Sequence, residues 1–468
     1  MARTQLRHLV LVLFIDSDFV RVAGVGKQGK VYSICSEPLS PLHLGTRDLL
    51  DVTFTVRRTI NQLVQSLSFD FCIDQMMIAA HSPTLLAWDR RSGSPLSCLY
   101  YPKENRQLYR QIKKNHFDSD VYHRTGIHVD SQCAFLMVQS LLKEDSVFRA
   151  IRQKKAVIGP LASFLLYELT GKTDFLIDPT LAQQTQLYSI HDHCFDQNLC
   201  DYLNLPLTCL PQIHSHDQPF GYTRGFIPLE NDIPIVSMRS FESTLYHAYP
   251  RFELSGCHLH FFADHCQVLY SAGQSPLVLD SPSMDQLAFS SDCYFVKQKI
   301  NLPTWPSLSL GELSVYTSDF NTFNDDLFFF PDGSLIGLYQ NPSLEQLTVS
   351  FLQSLIFSIK YALDINEQSG LFSARQYYLD GSLSTHLCAV AYFADILQHS
   401  VIEKPLYPDW LSGLLLSSKA PFLTASGIKK ISAFQQTLAQ TDPITSMSMY
   451  RPWFDLFENR AHNKLLGN

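Results

Sequence analysis

Leu9–Ile15 is an unbroken apolar run, followed by Phe19–Val25 and Lys30–Cys35, with short polar or glycine-bearing turns between them. Three strand-length runs joined this way predict an antiparallel meander. Arg47–Leu67 then reads as a helix, with apolar positions at Leu49, Leu50, Val52, Ile60, Leu63, Val64 and Leu67. A buried strand at Met76–Ala80 and another at Leu85–Trp88 follow, and Ala134–Leu142 and Ser163–Tyr167 supply further helices. The texture changes near residues 227–237, where Ile227-Pro228 and Ile233-Pro234 bracket Asn231-Asp232. Beyond it, His258–Phe262 and Gln267–Tyr270 predict a hairpin, and Leu277–Leu279 and Cys293–Lys297 further strands. After Pro342, Leu344, Leu347, Val349, Leu352, Leu355, Ile356, Ile359 and Leu363 form one wide helical stripe. Both halves run strands first and helices later, without a sequence repeat, which points to an α/β chain of two similar lobes.

Composition narrows the picture. With 468 residues, 46% hydrophobic and 17% charged, the chain can fill two sizeable cores. A formal net charge of −8 gives no electrostatic footprint for nucleic acid or an anionic membrane surface. Eleven cysteines, an odd number with no CxxC spacing, read as reduced thiols of a cytoplasmic protein. The basic start before Leu9 could suggest a signal or an anchor. The run is far short of the ~20 residues a span needs, and Asp16-Ser17-Asp18 follows where a cleavage site would be. A buried strand is the better expectation.

Several segments, in colinear order, carry a resemblance. Trp88-Asp89-Arg90-Arg91-Ser92-Gly93-Ser94-Pro95, Thr125-Gly126-Ile127, Asp178-Pro179-Thr180-Leu181-Ala182 and Leu203-Asn204-Leu205-Pro206 lie in the first half. Gly337-Leu338 and the run from Leu379-Asp380-Gly381-Ser382 to Ala394-Asp395-Ile396-Leu397 lie in the second. Together they resemble the FGGY carbohydrate kinases, particularly the glycerol-kinase branch. The resemblance implies two ribonuclease-H-like lobes of the actin and hexokinase type, with an interlobe cleft that holds ATP, Mg2+ and a sugar or polyol. The lobes are expected at residues 1–230 on the substrate side and 231–468 on the nucleotide side. It also implies a homodimer.

Phosphoryl transfer needs a clamp on the phosphates, a magnesium ion and a base for the attacking hydroxyl. Each can be sought here. Where the family carries a glycine- and threonine-bearing phosphate loop, this chain has only Asp16-Ser17-Asp18, shorter and without glycine. Asp16 is the candidate for nucleotide and magnesium, against the plainer reading of an exposed turn. The arginine–glutamate pair of the family's substrate loop falls on Ser82 and Pro83, and proline's side chain offers no hydrogen bond. His81, Ser82, Glu104 and Arg106 are the substrate candidates that remain. The family's general base is an aspartate at a helix start, and Phe241 takes that position. Phenylalanine accepts no proton, so Glu242 is the substitute candidate, although one helical position means ~100° of rotation. A second phosphate loop is expected at Leu254-Ser255-Gly256-Cys257, with Ser255 and Gly256 as ligand groups, and the adenosine segment at Gly381 and Ser382. The loop before Gly337 is shortened.

Rival chemistries are weaker. His191-Asp192-His193-Cys194, His214-Ser215-His216-Asp217 and the stretch holding His258, His260, His265 and Cys266 are rich in metal-ligand types, but not at zinc spacings. His191/His193 and His258/His260 alternate as on strands, so each pair could face one side. Gly24-Val25-Gly26-Lys27-Gln28-Gly29 matches GxGxxG in letters, yet the next segment reads as a strand, so a hairpin turn is expected. No Gly-x-Ser-x-Gly elbow occurs. The reading is therefore a kinase-like chain impaired in catalysis and retained for binding a ligand or a partner. The alternative is an active, divergent ATP-dependent sugar or polyol kinase working through Asp16 and Glu242.

Overall fold

The computed structural model describes residues 6–81, 83–248, 256–261, 265–273, 284–290, 293–301, 327–331, 334–336, 343–370, 374, 376–381, 387–403, 408–417, 422–440 and 443–466. Contacts divide the chain into two compact units. One comprises Met1–Pro250, Val278–Tyr294 and Asp409–Ala433, and the other Arg251–Leu277, Phe295–Pro408 and Phe434–Asn468.

The first unit is built on a five-stranded sheet in the order Ile235–Ser240, Phe71–Ala80, Arg7–Ile15, Phe19–Gly26, Val31–Pro38. The three N-terminal strands form the expected antiparallel meander, and the other two are parallel to the first. Residues from Leu9 to Ile15 are all buried, which accounts for a continuous apolar run rather than an alternating one. The glycine-rich stretch closes the hairpin between Phe19–Gly26 and Val31–Pro38. The Gly26 N–H donates to the Lys30 carbonyl at 2.9 Å, and Gly29 takes the left-handed φ of +70° that favours glycine.

The helix Leu49–Ser66 begins where the Asp48 side chain accepts from the Leu50 N–H. It buries Leu49, Val52, Val56, Ile60 and Leu63, each worth roughly 1.5–3 kcal/mol when removed from water. Strand Ile235–Ser240 passes without a loop into helix Phe241–Ala248, and helix Asp409–Ser417 packs on that helix. The approach is close: a Cβ on Gly413 would lie 1.8 Å from the Thr244 carbonyl oxygen.

The second unit carries its own sheet. Its strands run in the order Cys293–Asn301, His265–Gly273, Gly256–Phe261, Gln376–Gly381, Val401–Glu403, Gln435–Thr437. Gly256–Phe261 and His265–Gly273 form the expected hairpin, and Gly256–Phe261 pairs in parallel with Gln376–Gly381. The striped helix is Leu344–Gln368, opened by a capping box between Ser343 and Gln346. Leu277–Leu279 and Gly337-Leu338 lie outside the described residues.

Candidate functional site

The first turn is held by its own aspartate. Asp16 Oδ1 accepts from the Asp18 N–H at 2.8 Å and from the Phe19 N–H at 2.6 Å, while Oδ2 pairs with Arg21. Two backbone donors that could have faced a phosphate are thus turned onto a carboxylate. Beneath the turn lies Arg47, only 3% exposed, whose guanidinium donates to the Ser17 carbonyl at 2.7 Å, the Ser40 carbonyl at 2.6 Å and the Tyr101 hydroxyl at 2.8 Å. Sequence reasoning missed Arg47, because an arginine just before a helix carries no signal of burial.

Where the resemblance led the family base to be expected, strand and helix meet at Ser240 and Phe241. Phe241 is 2% exposed. Its ring lies 5.6 Å from Phe14 and 6.1 Å from His81, and Phe14 stacks on Trp410 at 5.2 Å. The strand geometry makes this arrangement: Ser240 pairs with Ala80, so the end of one parallel strand brings Phe241 beside His81 at the end of the next. Glu242 follows in the first helical turn and is fully buried.

Behind this point lies a buried polar network. Asp178, itself the cap of the short helix Pro179–Gln184, accepts from the Thr180 N–H at 2.9 Å and pairs with His216 Nε2 at 2.6 Å. Burial would raise its carboxyl, but the His216 hydrogen bond and charge, Arg239 and Thr180 outweigh that and hold it below the ordinary carboxylate value. Arg239, one residue before Ser240, donates to Ser243 Oγ at 3.2 Å and the Ser417 carbonyl at 3.3 Å. Burial pulls its guanidinium below the ordinary value, against the pull of Asp178. Burial, with Arg239 and His216 nearby, pushes His247 down to about 2, so it stays neutral.

The substrate candidates are only partly brought together. The His81 N–H donates to the Ile15 carbonyl at 2.8 Å, continuing the ladder, and its ring faces Phe241. Ser82 lies outside the described residues. Glu104 and Arg106 form an exposed ion pair at 2.6 Å. Glu104 also lines a cavity of about 500 Å3 with His43, Thr46, Tyr100, Tyr101, Lys103, Asn105, Ser140 and apolar Leu44, Leu136 and Met137. Neither His81 nor Arg106 is among its lining residues.

Of the nucleotide candidates in the second unit, Ser255 and Ser382 lie outside the described residues. Gly256 opens a buried strand. Gly381 has φ +89°, and a Cβ there would meet the Phe261 carbonyl oxygen at 2.3 Å and nitrogen at 2.8 Å. Close approach of the neighbouring strand therefore demands glycine at 381 by itself. Beside it, Asp380 pairs with His260 at 3.1 Å. Burial opposes its charge, but the hydrogen bond and charge of His260, with His258, keep its carboxyl below the usual range.

The metal-rich segments do not converge. Among the described residues, no group of three or more histidine, cysteine, aspartate or glutamate side chains could hold a metal ion. His258 and His260 do share a strand, but His191 and His193 lie in a turn, with His193 at φ +54°, which corrects the strand expectation for that pair. Alternation over three residues fits a turn as well as a strand. No helix among the described residues is long and apolar enough to cross a membrane.

Comparison with known proteins gives one consistent picture. Residues 19–239 match the N-terminal domain of the FGGY family of carbohydrate kinases. Glycerol kinase of Enterococcus faecalis is 19% identical over 409 residues, 79% of this chain and 80% of that one. Glycerol kinase 1 of Thermotoga maritima is 23% identical over 365 residues, 70% of this chain and 73% of its own. The crystal structure of Plasmodium falciparum glycerol kinase with ADP superposes with a TM-score of 0.79 at 16% identity, covering 97% of this chain and 98% of that one. Gluconate kinase of Lactobacillus acidophilus superposes with a TM-score of 0.79 at 15% identity, covering 98% of each chain. These likenesses establish an α/β fold of the two-domain, actin and hexokinase type.

Proposed function

We propose, for a chain that over residues 19–239 belongs to the FGGY family of carbohydrate kinases, a function in binding rather than in phosphoryl transfer. The observation that carries this reading is Phe241. Transfer to an alcohol needs a group within hydrogen-bond reach of the substrate hydroxyl to take its proton. At the helix start where the family places that group, this chain has a buried ring packed beside two others, Phe14 and His81. Glu242 is fully buried in the next position, one helical step round.

The family's ATP and Mg2+ meet a poor fit here. Asp16 accepts the N–H groups of its own turn and pairs with Arg21, so its carboxylate is committed before a hydrated magnesium ion arrives. Gly381 is accounted for by strand packing. The cavity beside Glu104 falls within the size range of small-molecule sites and mixes tyrosine rings with amide, hydroxyl and charged groups. In this reading it is the place for a sugar or polyol. Nucleic acid is not expected as a partner at a net charge of −8, and free thiols at the described cysteines fit a cytoplasmic chain.

The test is ADP release by the purified chain with Mg-ATP and a panel of polyols, ketoses and aldonates, alongside thermal unfolding with Mg-ATP. The expected result is no release above background and no stabilisation at millimolar nucleotide. Binding at a hundredfold excess over Kd would add about 2.7 kcal/mol, readily seen. Turnover that drops about 10²-fold or more in Glu242→Gln would overturn the proposal in favour of an active, divergent kinase.

A further inference from the structure

The short helix Asp145–Arg152 of the first unit ends in a run of cations. Val147 and Ala150 anchor its inner face, while Phe148, Arg149, Arg152, Lys154 and Lys155 are exposed. Lys154 takes a left-handed φ of +55°, and its N–H donates to the Ile151 carbonyl at 2.9 Å. That turn folds the chain back, so the Lys155 N–H reaches the Ala150 carbonyl at 2.9 Å before strand Ala156–Gly159 begins. The strand pairs with Leu86–Asp89, and the Arg90 N–H donates to the Lys155 carbonyl at 2.7 Å. The exposed Arg91 is thereby set beside Lys155.

Most of this charge is uncommitted. Among the described residues, the side chains of Arg91, Lys154 and Lys155 make no hydrogen bond or ion pair. Arg152 lies over the Phe148 ring at 4.6 Å, and that residue is 47% exposed. Arg149 Nε donates to the Asp145 carbonyl at 3.1 Å. Two carboxylates are near. Asp89, whose charge is felt at Lys155, is held by its own turn, where Oδ1 accepts from the Arg91 and Ser92 N–H groups at 2.9 Å. Asp145 stands at the far end of the helix, about 10 Å from Arg152 along its axis. Cations in a last helical turn complement the helix dipole, which accounts for Arg149 and Arg152. It does not account for Arg91, Lys154 and Lys155 outside the helix, nor for an aromatic ring left in water among them.

We propose that this face, with Arg91, Arg149, Arg152, Lys154 and Lys155 around Phe148, docks a short acidic segment of a partner protein that carries an apolar side chain for the Phe148 ring. Charge sets the sign of the partner: the cluster is locally cationic in a chain of formal net charge −8. Size sets its class. The patch runs roughly 10 Å along the helix, the length of about three or four extended residues. Nucleic acid would run past it onto the rest of an acidic chain. An anionic bilayer is held by a wide apolar face together with basic residues, and a single ring offers little of one. Docking here uses neither the Asp16 turn nor Phe241, so it can fail while the binding reading stands, and the reverse.

The test is fluorescence anisotropy of a labelled peptide, Glu-Asp-Glu-Leu-Glu-Asp-Glu, titrated with the full chain at low and at physiological salt. Wild type would be compared with Lys154→Glu/Lys155→Glu, with Phe148→Ser, and with Lys429→Glu/Lys430→Glu, which makes the same change of net charge at another exposed site. Circular dichroism checks that each keeps its fold. The expected result is saturable binding by wild type that weakens with salt, a loss of at least about tenfold for the Lys154 and Lys155 pair and about threefold or more for Phe148→Ser, and a change within about twofold for the control. No saturable binding, an equal loss in the control, or a Lys154 and Lys155 variant that binds as wild type does would each overturn the proposal. So would tighter binding, at the same salt, of single-stranded DNA or of vesicles containing phosphatidylserine.

Discussion

Replacing Phe241 in turn by alanine, asparagine and aspartate tests whether the position of the family base is now apolar core. The ring is 2% exposed, with Phe14 at 5.6 Å and His81 at 6.1 Å. Removing a buried phenylalanine ring typically costs ~3–5 kcal/mol. The same size follows from burial: roughly 150–200 Å2 at about 25 cal/mol per Å2 gives about 4–5 kcal/mol. Asparagine should cost about 1–3 kcal/mol more, for an amide without adequate partners. Aspartate adds a charge to an apolar setting, so desolvation should raise its carboxyl above the unfolded value near 3.9. A raised carboxyl penalises the folded state when ionised. The extra loss should therefore be full at neutral pH and shrink as pH falls through the folded value towards about 4.

Urea unfolding followed by circular dichroism measures these differences as midpoint shifts. With a slope near 3 kcal/mol per M, a loss of 3–5 kcal/mol moves the midpoint by about 1–1.7 M. Alanine should show that shift, and aspartate should exceed asparagine at pH 7 but not at about pH 4. A midpoint for Phe241→Ala within a few tenths of a molar of wild type, with aspartate no worse than asparagine, would refute the reasoning. Such a result would mean a wet position open to substrate.

Two further outcomes follow from the same region. His247 is pushed down to about 2, against about 6.5 when unfolded, so between those values the unfolded chain binds a proton that the folded chain refuses. Stability present above about pH 6.5 should fall as pH drops, by at most about 1.4 kcal/mol per unit from this group, and His247→Gln should flatten the slope in urea midpoints. Asp178, held below the usual range, adds its loss only below about pH 4. Gly413→Ala would drive a methyl group to 1.8 Å from the Thr244 carbonyl oxygen, a backbone atom that cannot rotate away. It should destabilise by about 3 kcal/mol or more, and an unchanged unfolding temperature would contradict the close helix packing.

Sequence pattern read the local elements well and the contacts between distant segments poorly, for one physical reason. Leu9–Ile15, the helix near Leu49–Ser66 and the hairpin Gly24–Gly29 each carry their signal within a few turns of chain. Phe241 was legible only through the resemblance, which sets the family's base at a helix start after a short strand, and a strand does lead directly into its helix. The partner of Phe14 was not: Trp410 reaches it from the far end of the sequence, and no periodicity reports such packing. Nothing in the sequence marks Arg47 and Arg239 as buried, since arginine is mostly exposed. Both are buried, satisfied by carbonyls at Ser17, Ser40 and Ser417 that only the fold brings near.

These distant contacts bear on reversibility. Phe241 faces Phe14, Phe14 stacks on Trp410, and Trp410 belongs to the helix that Gly413 holds against the helix of Phe241 itself. The cluster is closed on itself, so a carboxylate introduced at 241 would meet rings rather than water or a sugar hydroxyl. Asp16 is likewise bound to its own turn and Arg21, which in turn lies 5.9 Å from the Phe14 ring. The strand-to-helix junction at Phe241 and the turn at Asp16 are thus two ends of one packed arrangement. Restoring a carboxylate without opening Phe14 and Trp410 would supply a base with no room for the hydroxyl it must deprotonate.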